Sequence, residues 1–463
     1  MPAPRPIPLS FLLIGIFLVS SCRLHTVRVD ALPEVIEKDE SFKDNQKPVD
    51  VIDQPWWTAL DRPELTRLIQ RALKDNFTIK QAAARLAGAK TLIDRDQAAY
   101  LPEIGIFFDQ RWTRFESGLE NRAGQYGANL QWEIDLFNRI GYGVDVQTFA
   151  AAARAEDLAA VQLSISAQIA QSYFALIAAK NILKLLEQQV STDERLLSLI
   201  ELRETQGVGT RVEVLQQKSR VSDSLSLIPL AEAEIQVNRN RIATLLGSLP
   251  IEGTLAGDAA TLNIEAALPE LGIPLSLLQN RPDLKAARAT LLQADASIGV
   301  AIANRLPSLN ISSTYQKLVD NVNPFNPVAT AAGSLFMPIL DWGRRKAEVT
   351  RNEHLYEEQL AAFTELYLTA IEEVRSAMVR TKQQQEYLKR LEIRESLLQK
   401  TVDLTEARYK EGVDDYLPVL NALQELRVLE RSLITEKLQL VNLRIELHRA
   451  LGGPIYDKNQ ETS

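Results

Sequence analysis

Cysteine and histidine are scarce in this 463-residue chain, which has one Cys and three His (His25, His354, His448) lying far apart in sequence. Zinc sites and Cys/His nucleophiles need such residues clustered, so neither chemistry has an evident home. No Gly-x-x-x-x-Gly-Lys segment occurs, and without it there is no phosphate cradle for nucleotide hydrolysis. A dominant charge is also missing: 52 Lys and Arg are interspersed with 60 Asp and Glu, for a net of −8. With no basic stripe, nucleic acid is excluded as the expected partner. Proline is absent from Asn138 to Gln206 and again from Trp342 to Glu411, two stretches with nothing in them to stop a helix. No nucleophile, base and metal set converges, so an enzyme is the least supported class and no cofactor is expected.

What the chain does have begins at its N-terminus. The apolar run from Ile7 to Val19 follows Arg5 and is too short to cross a bilayer as a helix, which marks a secretory signal. It ends in Val19-Ser20-Ser21-Cys22, small residues before the sole cysteine, resembling the processing box of bacterial lipoproteins. Cys22 is therefore the expected lipidation site, the alternative being an ordinary buried thiol. Arg23 follows it rather than the Asp that often retains such lipoproteins in the inner membrane, so the resemblance implies an anchor in the outer one. Acyl chains contribute about 0.8 kcal/mol per buried methylene and would hold the N-terminus there.

The rest of the chain contains itself twice, at an offset of 205 or 206 residues. Ile79, Ala82, Leu86, Ala89, Ala98, Leu101 and Pro102 recur as Leu284, Ala287, Leu291, Ala294, Ala303, Leu306 and Pro307. Asp135 and Arg139 return as Asp341 and Arg345, and Arg203, Gly207, Val208, Val214 and Leu215 as Arg408, Gly412, Val413, Val419 and Leu420. Leu246-Gly247 closes the first copy as Leu451-Gly452 closes the second. A tandem duplication makes each half the same structural unit.

Periodicity describes that unit: a helix, two strands, a very long helix, a Gly-marked turn and a returning helix. The first helix is expected from Pro63 to Ala99, stopping before Pro102. Ala128, Leu130, Trp132 and Ile134 alternate with polar neighbours, as do Leu309, Ile311 and Tyr315, and strands near Glu103 to Thr113 and Val328 to Leu340 bring the total to four. Such lengths suit an outer-membrane strand of about 9 to 11 residues, although alternation alone favours a half-buried soluble hairpin. Four strands cannot close a barrel, and open edges in lipid leave backbone groups unpaired, so strands in the membrane would force oligomerisation. The two proline-free helices would each be about 100 Å long. Leucine-type residues fall every seventh position at Ile169, Leu176, Leu183, Val190 and Leu197, and at Leu426, Leu433, Leu440 and Leu447, which is coiled-coil packing.

These features resemble the TolC-like outer-membrane efflux protein family, in its lipoprotein branch serving tripartite pumps. The match is carried by Trp56-Trp57 with Leu60, Leu65, Ala72-Leu73 and Asn76; by Asn280-Arg281-Pro282-Asp283-Leu284; by Asp341-Trp342-Gly343; and by Ala407-Arg408-Tyr409-Lys410-Glu411-Gly412-Val413-Asp414-Asp415-Tyr416-Leu417. The resemblance implies a mainly α fold with a small β part: duplicated coiled-coil hairpins and four strands per chain, assembled as a homotrimer with a 12-stranded barrel on a periplasmic α-barrel. It implies as partners a periplasmic adaptor protein, an inner-membrane pump of the RND type and outer-membrane lipids. The organisation expected is a signal peptide over residues 1–21, a lipid-anchored segment over 22–62, a first repeat over 63–247, an equatorial linker over 248–274, a second repeat over 275–452 and a tail over 453–463.

By the same resemblance Gly207 and Gly412 are the hairpin turns, and Leu417, Asn421 and Glu213 face a narrow periplasmic gate, the alternative being ordinary turn packing. Relatives often carry Asp where this chain has Asn421; a ring of Asn hydrogen-bonds without binding cations, unless Asp414 and Asp415 supply charge nearby. Arg281 and Asp283 flank a Pro at a helix start and are expected to cap rather than catalyse. The function implied is a passive exit duct for drugs, toxic small molecules or metal ions. An exit duct for secreted protein, or a nonconducting lipid-anchored scaffold, remains as the alternative.

Overall fold

The computed structural model describes residues 23–28, 55–118, 120–250, 262, 281–320 and 327–453. Cys22, the signal segment, nearly all of the 248–274 linker, most of the Asn321 to Pro327 loop and the tail after Gly453 lie outside them. The described residues fall into two compact units, one of those within 1–38, 84–156 and 285–365, the other of those within 39–83, 157–284 and 366–463.

The first unit holds a four-stranded antiparallel sheet in the order β1 (Glu103–Arg114), β2 (Glu120–Ile134), β3 (Ser308–Asp320), β4 (Pro327–Phe336). Each repeat contributes one hairpin, and the two are joined where β2 pairs with β3, Leu130 opposite Ser313 and Trp132 opposite Ile311. Because successive side chains point to opposite faces, the register sorts the residues. Ile104, Ile106, Phe108 and Trp112 share a face with Tyr126, Leu130, Trp132, Ile311, Tyr315 and Leu335, whereas Asp109, Gln125, Asn129, Ser312, Thr314 and Gln316 lie on the other. The apolar face is bare: Ile106 is 90% and Phe108 75% exposed. β4 ends at Phe336 rather than the expected Leu340, because Pro338 has no N–H to give the ladder.

The sheet passes into helices through acid-capped junctions. At the start of α3 (Arg139–Thr205) the Asp135 carboxylate accepts from the Gly141 N–H at 3.0 Å, and Arg139 grips Glu133 through two bonds of 2.7 and 2.6 Å. At the start of the corresponding second-repeat helix, Asp341 accepts from the N–H groups of Gly343 and Arg345 at 3.1 and 3.2 Å. Residues 23–28 are docked in this unit as well. Fully buried Asp295 accepts from the Arg28 N–H at 2.8 Å and lies 3.2 Å from the His25 ring, while Tyr142 exchanges two hydrogen bonds with the His25 backbone.

The helices are α1 (Pro63–Asp75), α2 (Phe77–Gln97), α3, α4 (Arg211–Leu245), α5 (Pro282–Ala303), α6 (Arg344–Lys410) and α7 (Tyr416–Ala450). Duplication is legible in their lengths, α3 and α6 having 67 residues each and α4 and α7 having 35 each. At 1.5 Å per residue the longer pair run about 100 Å. The expected single helix from Pro63 to Ala99 is instead broken at Asn76, whose backbone is extended. Its side-chain oxygen takes the N–H groups of Thr78 and Ile79 at 2.8 and 3.2 Å, starting α2 afresh as an N-cap. In the second unit Trp56, Trp57, Leu65 and Ile69 pack against Ile169, Phe174 and Ile177 of α3, Ile242 of α4 and Ile445 of α7. Of the seventh-residue positions in α3, Ile169, Leu176 and Val190 are buried and Leu183 and Leu197 half-buried. A stretch of α3 is apolar enough to span a bilayer, but 56% of it is buried, as suits a core helix.

Candidate functional site at the hairpin turns

Both hairpins reverse at a glycine in the left-handed region, Gly207 at φ 76° and Gly412 at φ 74°. The same two bonds close each turn: Val208 N–H to Arg203 O (3.0 Å) with Gly207 N–H to Glu204 O (2.9 Å), and Val413 N–H to Arg408 O (2.9 Å) with Gly412 N–H to Tyr409 O (3.0 Å). This is the Schellman ending, which satisfies the last carbonyls of α3 and α6 and needs a residue without Cβ at the reversal. Thr210 and Glu213 then form a reciprocal capping box that starts α4.

The two turns touch. Arg203 donates to the Tyr409 carbonyl at 2.8 Å and stacks its guanidinium 4.5 Å from the Tyr409 ring. The Tyr409 hydroxyl donates to Glu213 at 3.4 Å, and burial, reinforced by Glu213, raises its pKa. Arg408, the repeat partner of Arg203, acts locally, gripping Asp414 through bonds of 2.5 and 2.9 Å. That pair holds the Asp414 carboxyl below the usual carboxylate range.

The expected gate residues therefore divide. Leu417 is 58% exposed and Asn421 is also exposed, one turn on along α7, in a groove with Gln424 and with Tyr387 and Arg394 of α6. Asp415 is exposed at the N-cap of α7, its side chain not bonded to the helix end. Glu213 and Asp414 are half-buried and already engaged, Asp414 as a neutralised ion pair. Among the described residues, no group of three or more His, Cys, Asp or Glu could hold a metal ion.

Sequence reasoning missed a buried polar network just behind these turns. Asp193 of α3 receives two bonds from Arg427 of α7, at 2.5 and 2.9 Å, and one from Ser224 of α4 at 2.8 Å. Gln217 of α4 donates to the Asp193 backbone carbonyl at 2.8 Å and accepts a hydrogen bond from Tyr416, the first residue of α7. Burial pushes the Tyr416 hydroxyl up to about 12, keeping it a donor. The available signal was a charged residue, Asp193, on the same helical stripe as Leu186, Val190, Leu196 and Ile200.

Residues 68–248 and 273–453 match the family model described as outer membrane efflux protein. The chain is 30% identical over 422 residues to the pyoverdine export outer membrane protein OpmQ of Pseudomonas putida, covering 87% of this chain and 88% of the relative. It is 26% identical to nodulation protein T of Rhizobium leguminosarum bv. trifolii over 423 residues, 87% and 88% of the two chains. Among solved structures, the outer-membrane channel OprN superposes with a TM-score of 0.81 at 26% identity, covering 90% of this chain and 96% of that one. CusC superposes at 0.79 with 23% identity, covering 87% and 95%, a likeness of fold.

Proposed function

The chain belongs to the outer membrane efflux protein family and is an outer-membrane efflux channel protein, and from that premise we propose that three copies close a single exit duct gated at the hairpin turns. The observation that carries the assembly is the sheet, whose apolar face is exposed and whose β1 and β4 edges have no partner strand within the described residues. In lipid that face is at home and those edges are not, so neighbouring copies must supply the missing ladder bonds. Three copies give twelve strands, with the polar face of Asp109, Asn129, Thr314 and Gln316 turned to the lumen.

In this reading conduction is passive. No residue set for chemistry is assigned, and the driving energy comes from an inner-membrane pump of the RND type through a periplasmic adaptor seated at the turns. Leu417 and Asn421 project from the start of α7 as the constriction, and Asn421 hydrogen-bonds where an Asp would add charge. A covalent lipid on Cys22 anchors the N-terminus. The relatives named for pyoverdine export and for toluene efflux support a small organic cargo, with metal ions the other class such a duct passes.

The test is single-channel conductance of the purified, lipidated protein in planar bilayers. A small conductance that rises sharply in Leu417→Ala with Asn421→Ala is expected. No conductance from either, despite an intact membrane-inserted trimer, would overturn the duct in favour of a scaffold.

A further inference from the structure

The face of the sheet that carries Ile106 and Phe108 is apolar at one end and charged at the other. Among the described residues its charged side chains are Arg114, Glu120, Arg122 and Lys317, all toward the ends where the hairpins turn. An arginine on a lipid-facing strand is costly at the bilayer midplane and nearly free at its edge. This end of the face therefore belongs among lipid headgroups, and it brings them three cations against one anion.

Two of the cations are gathered at one spot. Trp112 and Arg122 stand directly opposite in the β1–β2 ladder, and the Arg122 guanidinium lies 5.9 Å from the centre of the Trp112 ring, a cation–π contact that holds it in place. Arg114 is the diagonal neighbour of Arg122, about 7 to 8 Å away and within reach of the same ligand. Glu120 offsets Arg114 at 3.7 Å, whereas Arg122 is exposed and has no carboxylate partner among the described residues. Strand pairing does not require this cluster. The residues 205 positions after Trp112, Arg114 and Arg122 are Lys317, Val319 and Pro327, and the second hairpin forms without it.

The duplication also indicates what lies beside the cluster. Both hairpins have one register: Glu103 opposite Gln131 becomes Ser308 opposite Phe336, each residue 205 further on. Carried over in the same way, the β2–β3 ladder gives the pairing of β4 in one copy with β1 in the next. Gly124 opposite Val319 becomes Ala329 opposite Arg114, and Tyr126 opposite Lys317 becomes Ala331 opposite Trp112. Small side chains thus leave a shallow bed next to Trp112 and Arg114, continuous with the apolar face below.

We propose that Arg122, Arg114 and Trp112 form a binding site for a phosphate-bearing glycolipid of the outer leaflet, one on each copy. The two guanidiniums take the phosphate through their forked N–H donors, and the acyl chains lie over Ala329 and Ala331 toward Phe108. The turn end is opposite the end that passes into the long helices, so it stands at the cell exterior, where the leaflet lipid carries its phosphates on sugar. The site rests on the membrane barrel proposed above.

Native mass spectrometry of the intact trimer, titrated with a bis-phosphorylated glucosamine lipid (lipid A), its dephosphorylated form and phosphatidylglycerol, tests it. Wild type should prefer the phosphorylated glycolipid to both others. Arg122→Gln with Arg114→Gln should weaken that binding about thirtyfold, equivalent to about 2 kcal/mol for two basic residues at a membrane surface. Arg111→Gln removes a charge near the same turn from the opposite face and should leave binding unchanged. Equal binding by wild type and the double variant, an equal loss in Arg111→Gln, or equal uptake of phosphatidylglycerol would overturn the site. Should the double variant not assemble, Arg122→Gln alone should lose about fivefold, and no loss there overturns it equally. Wild-type conductance keeps the two readings apart. A conducting trimer that ignores the glycolipid defeats the site alone, and failure to form a membrane-inserted trimer defeats the barrel on which it rests.

Discussion

Asn76 and Arg281 occupy the same place in the two repeats and do the same work with different chemistry. Each stands immediately before a helix, and each donates a side-chain N–H to a carbonyl 169 residues further on, Asn76 to Leu245 at 2.8 Å and Arg281 to Ala450 at 3.1 Å. The returning helix of each repeat is thereby fastened to the beginning of the same repeat. Those carbonyls belong to the last turns of α4 and α7, which have no intrahelical partner to offer. Arg281 does more than its counterpart, gripping Asp283 at 3.0 and 2.6 Å and Glu373 of α6 at 2.8 Å.

Asn76→Ala should therefore destabilise the first repeat by about 1 to 2 kcal/mol, since it removes both a buried hydrogen bond and the N-cap of α2. Arg281→Met should cost more, about 3 kcal/mol, because several charge-assisted bonds are lost together. Thermal unfolding of the purified trimer ranks the two, and an equal or reversed order would show that the extra bonds of Arg281 contribute nothing.

The glycines that end the helices should separate into two grades. An added Cβ at Gly207 or Gly412 meets no atom within 4 Å, so Gly→Ala there costs only the backbone strain, about 1 to 2 kcal/mol. At Gly247 (φ 69°) the Cβ would lie 2.6 Å from the Asp75 carbonyl oxygen, and at Gly452 (φ 67°) 2.8 Å from the Arg281 Cα. Alanine at either of these adds a clash with backbone to the same strain. Denaturation midpoints of the four single variants should fall in two pairs, with 247 and 452 the lower.

Much of this was legible in the sequence because duplication and periodicity are global signals. The offset of 205 residues places both turn glycines, and the absence of proline marks both long helices. Single-residue capping was not legible. Asn76 lies inside an Ala- and Leu-rich helical pattern, and only its contact with Leu245 reveals why the chain breaks there. Arg281 and Asp283 are expected to cap the helix that starts at Pro282, whereas the Arg281 guanidinium bonds the Ala450 carbonyl at the far end of the repeat. The Asp193 network was hidden for a related reason: one acid on an apolar stripe gains meaning only when the partner helix, 234 residues away, is seen to supply Arg427.

Acid should loosen the packing of α7 near its C-terminus. The His448 ring stacks on Trp56 with centroids 5.8 Å apart, and burial first, then Arg444, lower its pKa from the ordinary 6.5. The unfolded state then binds a proton below pH 6.5 that the folded state resists. Stability from this site is complete above 6.5 and is lost as pH falls beneath it. Amide protection over the last turns of α7, corrected for the intrinsic pH dependence of exchange, should fall as pH drops below 6.5. His448→Phe should flatten that dependence, and an unchanged slope would assign the acid sensitivity to another group.

The sheet offers the sharpest contrast between two single substitutions. Ile106 and Gln316 lie on adjacent hairpins of one sheet but on opposite faces, Ile106 with Phe108 and Tyr126, Gln316 with Asn129 and Thr314. If the apolar face meets lipid, an arginine at Ile106 must be carried into the hydrocarbon, at a cost of about 2 to 4 kcal/mol near the midplane. The same arginine at Gln316 enters water in the lumen and costs little. Ile106→Arg should thus reduce heat-resistant trimer in outer-membrane fractions, and Gln316→Arg should leave its amount unchanged while shifting the channel toward anion selectivity. Equal tolerance of both would mean that the exposed face of β1 is covered by protein rather than lipid, and the twelve-stranded closure would then need a different partner.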